Sequence, residues 1–132
     1  MTTSPTINFL AVNTNKNKNK ILMSITSDFL PIQQIIPLNV GLIYLKPNTQ
    51  YKGNLQIKCD DKTIIDDDSL LFPEQELSSS NEIINGLVGA TFNINTPVIN
   101  LAEGAYALTL TLKSADDKEL SKRSTYFFAK HE

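Results

Sequence analysis

The chain has 132 residues, 12 basic and 14 acidic, for a net charge of −2, and a single cysteine. A chain of this length buries roughly two-thirds of its unfolded surface without a staple, and 41% hydrophobic with 20% charged residues is a globular composition. One cysteine excludes a disulfide framework or a thiolate zinc cluster, the charge balance sets up no field for nucleic-acid phosphates, and no apolar run has membrane-spanning length.

The start, MTTSPTINF, carries no basic segment followed by an apolar one, the pattern of a secretory signal, so a cytoplasmic location is expected. TINFLAV at 6–12 and ILMSITS at 21–27 are β-prone runs separated by NTNKNKNK, which is too polar to pack. They predict a first hairpin with a long polar loop. In DFLPIQQIIPLN, Pro31 and Pro37 interrupt an apolar segment, which predicts an irregular crossover along a sheet edge. VGLIYLK at 40–46 is apolar on both parities, as in a central strand covered on both faces.

YKGNLQIKC at 51–59 alternates cleanly, with Tyr51, Gly53, Leu55, Ile57 and Cys59 on one face, and it turns at Asp60-Asp61 to resume at TII. Residues 66–85 look irregular, and Pro73 ahead of Glu74 and Glu76 suits a one-turn helix start. GLVGATFNIN at 86–95 alternates again. LAEGAYALTLTL at 101–112 puts Tyr106, Leu108, Leu110 and Leu112 on one parity, and SADDKE then turns into a last strand, LSKRSTYFFAK. LQIKCDDKTII and LTLKSADDKEL share the order strand, Lys, acidic turn, Lys, strand, which turn preference in two hairpins explains better than duplication. About eight short strands predict an all-β, two-layer antiparallel sandwich over residues 5–130.

Gly104 two residues before Tyr106 permits a turn into the strand that other residues disfavour, and a Tyr there can return its hydroxyl to an upstream backbone group. This resembles the tyrosine corner of immunoglobulin-like and fibronectin-type sandwiches over about 30 residues. The chain departs from true immunoglobulin domains in having no Trp and in placing Leu108 where a cysteine would stand. The layout of N-terminal strand pair, Pro-rich crossover and final Gly-x-Tyr hairpin is similar to small bacterial and phage-associated sandwich proteins of unknown role. That resemblance implies an architecture and brings no catalytic residue.

Asp60, Asp61, Asp66 and Asp117 are the candidate metal ligands, because calcium takes several oxygens converging from loops. Were the turns near 60 and 116 at one end of a sandwich, they would be similar to the calcium loops of C2 domains. Asp is also an ordinary turn residue, Lys62 and Lys118 follow at once, and calcium-loop spacing is absent, so solvated turns are the stronger expectation. Lys16, Lys18 and Lys20 make a local basic patch for an acidic partner, without the interleaved aromatics of nucleic-acid sites. His131 is the only histidine and lies at the chain end, Cys59 sits on an apolar face as an inert thiol, and no glycine-rich phosphate loop exists.

Tyr126, Phe127 and Phe128 reach both faces of the last strand: in a central strand both faces would be covered inside the sandwich, and at an edge the outward Phe127 would form part of a partner surface or add to another sheet. The expectation is therefore a non-enzymatic protein-interaction or structural module without a cofactor. Loops 13–20 and 66–85 and an edge strand would meet another protein or a second copy in a homodimer. Nucleic acid and membrane are not expected partners; the alternative function is a C2-like calcium- or lipid-surface module.

Overall fold

The computed structural model describes residues 4–12, 24–27 and 30–131. In chain order its strands are β1 (Thr6–Val12), β2 (Ser24–Ser27), β3 (Ile32–Gln34), β4 (Pro37–Leu45), β5 (Tyr51–Cys59) and β6 (Lys62–Phe72). They continue with β7 (Glu82–Ile84), β8 (Leu87–Asn95), β9 (Ile99–Leu101), β10 (Gly104–Ser114) and β11 (Glu119–His131). A smaller sheet runs β1-β4-β8-β7, a larger one runs β2-β11-β10-β5-β6, and β3 pairs with β9 in a short ribbon.

The period-two runs become the long strands because each has one apolar parity to bury and one to wet. From the larger sheet, Leu55, Ile57, Leu108, Leu110, Leu112 and Phe127 turn inward, and they meet Ile7, Val12, Leu38, Val40 and Val88 of the smaller sheet. The molecule is thus an immunoglobulin-like β-sandwich, and its longer pairings are antiparallel. On one side the gap between the layers is bridged where the Ile7 N–H donates to Ser121 Oγ at 3.0 Å. On the inside, the Phe72 and Phe92 rings pack with centroids 5.2 Å apart.

The first hairpin does not form. β1 pairs with β4 in the smaller sheet, and β2 lies parallel to β11 in the larger, with Ser24 opposite Phe128. Residues 13–23 supply far more chain than the ~10 Å between packed sheets requires, so nothing obliges β1 and β2 to be neighbours. The Pro-rich segment does cross, but Pro37 opens β4, where the missing N–H falls at a strand start. A latch holds the crossing: Ile36 N–H donates to Thr96 Oγ1 at 2.9 Å, and Thr96 N–H donates to Ile36 O at 3.0 Å.

In β4 the two apolar parities come from a register shift between Leu42 and Leu45, with Tyr44 at φ 60°, and not from cover on both faces. The extra residue flips the alternation so that Leu42 and Leu45 both face inward. β6 is also longer than the pattern predicts, since Asp66, Asp67 and Asp68 belong to the strand and not to a loop; Pro73 starts no helix. The strands beyond the expected eight are β3, β7 and β9, each of 3 residues.

Candidate functional site

The tyrosine corner is present. Tyr106 is buried, and its hydroxyl donates to Ala102 O at 2.7 Å and accepts the Ala102 N–H at 2.9 Å. Gly104 has φ 159°, and a Cβ there would stand 2.9 Å from both Cys59 Sγ and Asp60 Oδ2. Only glycine leaves room for the β5–β6 turn to close over the start of β10. Burial, with Cys59 beside it, pushes the Tyr106 phenol up to about 12. The Phe127 ring stacks on Tyr106 with centroids 4.9 Å apart and planes 5° from parallel.

That stack decides which aromatics of the last strand are free. Phe127 is 3% exposed and belongs to the core, so it is not the partner-facing residue expected from the sequence. The parity is reversed: Tyr126 is 70% exposed and Phe128 44% exposed on the outer face of β11. Opposite them on β10 stand Ala107 and Ala105, by the pairings Ala107 with Tyr126 and Ala105 with Phe128. Across β10 the same two rows continue, Ala107 to Lys58 of β5 and Ala105 to Asp60, which donates its N–H to Ala105 O at 3.0 Å.

Two small residues between taller neighbours make a trough. Its volume is 530 Å³, with Ala105 and Ala107 as the floor, Tyr126 and Phe128 as one wall, and Lys58, Asp60 and Asp61 as the other. One row reads cation, alanine, aromatic; the next reads anion, alanine, aromatic. Asp60 and Asp61 take φ 49° and 69° in the tight β5–β6 turn, where Asp tolerates the left-handed region. Neither forms an ion pair with Lys58 among the described residues.

Much of the rest of this outer face is polar, and several of its side chains pair with one another, although Leu71 opposite Lys52 is exposed. Asn54 Nδ2 donates to Asp66 Oδ1 at 2.8 Å, Lys113 Nζ meets Asp68 at 2.9 Å, and Lys52 Nζ meets Asp117 at 3.3 Å. The Lys113 ammonium holds the Asp68 carboxyl below its usual range, and the hydroxyl and N–H of Ser69 do the same for Asp67. The four candidate metal ligands are not brought together. Asp60 and Asp61 follow the C-terminal end of β5, beside the start of β10, whereas Asp117 lies past the far end of β10; Asp66 is mid-strand opposite Gln56. Among the described residues no group of three or more His, Cys, Asp or Glu is placed to hold a metal ion.

Lys16, Lys18 and Lys20 lie outside the described residues. Cys59 is partly buried with Sγ 3.8 Å from Asp60 Oδ2, and His131 ends β11. The pattern of residues missed Lys58, Ala105, Ala107, Tyr126 and Phe128. The two alanines were visible as the small members of the Tyr106 alternation; only the pairing register shows that the exposed aromatics stand beside them.

The opposite outer face, on the smaller sheet, carries two large apolar side chains for a local reason. Phe9 lies over Gly41 and Ile83 over Gly89, so each large side chain shields backbone that its neighbour leaves bare.

No family model and no curated protein matches the chain. Among solved structures, it is similar to that of a Niemann-Pick type C2 protein from Japanese carpenter ant, with a TM-score of 0.51 and 9% sequence identity. The match covers 97% of this chain and 94% of that one, and at such identity it supports the sandwich architecture alone.

Proposed function

We propose that the chain is a non-enzymatic interaction module that meets a protein partner through the trough on its larger sheet. The observation that carries this reading is the pair Tyr126 and Phe128, held side by side in water above an alanine floor while Phe127 between them seals the core. Exposed aromatics that flank a concavity are the usual anchors of protein interfaces, because a ring brings large contact area at low conformational cost. A sandwich can hold such a face rigid, since its rows are fixed by β10 pairing on both sides. The groups that converge there, two carboxylates, one ammonium and one phenol, are suited to recognition by charge and stacking.

The test is comparative capture from source-cell lysate with the wild-type chain and a Tyr126→Ser/Phe128→Ser variant of matched folding. A protein retained by the wild type and lost by the variant is the expected result. Equal retention by both would place the binding face elsewhere.

A further inference from the structure

We propose that the occupant of the trough is a second copy of this chain, which deepens the reading just given and rests on it. The walls of the trough are self-complementary in charge. A symmetric dimer requires a patch in which every feature meets its complement when the patch is turned on itself. The two rows across β10 have this property. Lys58, Ala107 and Tyr126 form one, and Asp60 with Asp61, Ala105 and Phe128 form the other.

A two-fold axis lying in the face, perpendicular to the strands and between the rows, exchanges them. Lys58 of one copy then meets Asp60 and Asp61 of the other, and Tyr126 meets Phe128. The contact repeats twice, so two charge pairs flank two aromatic pairs. Ala107 of one copy then faces Ala105 of the other, so the two floors lie opposite each other and the walls carry the contact, at a spacing near the ~10 Å usual for stacked sheets. A foreign partner would need no such pairing of opposite charges within one wall.

The charges are also free to serve. Elsewhere on this face Lys52 and Lys113 are paired within the chain, to Asp117 and Asp68, whereas Lys58 and Asp61 have no such ion pair among the described residues. Both side chains are exposed, and neither makes a side-chain hydrogen bond among the described residues; because Asp61 stands at φ 69°, a thermal melt of each variant checks its folding before sedimentation.

Sedimentation velocity over a concentration series, with Lys58→Glu and Asp61→Lys variants, tests this. The wild type is expected to shift from monomer to dimer as concentration rises. Each reversal alone opposes like charges twice in the symmetric contact and weakens the dimer at least about tenfold. An equimolar mixture of the two variants restores opposite charges in both contacts, so a heterodimer re-forms at wild-type concentrations, as does a homodimer of the Lys58→Glu/Asp61→Lys chain. A wild type monomeric throughout, or a mixture that stays monomeric while the wild type dimerises, would overturn the proposal. A monomeric chain that still captures a protein through Tyr126 and Phe128 overturns the second copy and keeps the module. Loss of both activities overturns both.

Discussion

Tyr106 concentrates more of the structure than any other side chain. Its hydroxyl serves both polar groups of Ala102, its ring stacks on Phe127, and Gly104 lets the β5–β6 turn approach it. Tyr106→Phe removes two hydrogen bonds but no apolar volume. Because Ala102 is exposed and water can replace the hydroxyl, the loss is expected near 1 kcal/mol, a fall of a few degrees in Tm by calorimetry. Gly104→Ala sets a Cβ against Cys59 and Asp60, and denaturant titration should show a cost above about 1 kcal/mol. The phenol adds a pH signature. With its folded value raised to about 12 against 10.0 unfolded, the neutral form stabilises the fold below pH 10. That stability drains away as pH rises from 10 towards 12, where the unfolded chain ionises first. Unfolding curves across that window should steepen this way for the wild type and less so for Tyr106→Phe. The corner was legible in the sequence because Gly-x-Tyr before a strict alternation has few other uses. The stack on Phe127 was not, since it depends on a partner strand.

Among the elements, β6 and β11 show where pattern reading fails and why. β6 is a sheet edge of 11 residues, and an unguarded edge invites pairing with other chains. Three consecutive Asp residues read as a loop because they are poor strand formers, yet at an edge they protect. Asp66 and Asp68 take partners across the outer face, and register shifts against β5 twist the edge further. Asp66→Thr/Asp68→Thr, which keeps β propensity and drops two charges, is expected to scatter light on incubation at concentrations where the wild type stays clear. Continued clarity would show that the acidic run guards nothing. In β11 the parity with Leu120, Tyr126 and Phe128 carries more apolar bulk than the one with Ser121, Arg123 and Thr125, so bulk alone points the wrong way. The register with β10 sets Phe127 opposite Tyr106 and so inside.

At the scale of the whole molecule, the two layers and their core follow from alternation, and β5, β8, β10 and β11 lie close to where the residues place them, whereas β6 runs on into the segment expected to be irregular. What alternation leaves open is which strands are neighbours, and there the hairpin of β1 with β2 fails because its connection is long enough to change sheets. The acidic turns fail as a site for the same reason. Antiparallel β5 and β10 send the turns after them to opposite ends, a fact of topology and not of composition. The trough is likewise assembled from β5, β10 and β11. Three adjacent rings divide between the two sides of the sheet: Phe127 lies in the core between the layers, while Tyr126 and Phe128 stand exposed on the outer face. Urea unfolding of Phe127→Ala beside Tyr126→Ser/Phe128→Ser measures that division directly. The expected result is a loss of about 3–5 kcal/mol for the first and less than about 1 kcal/mol for the second. Comparable losses in the two would contradict it, for the outer rings would then be part of the fold.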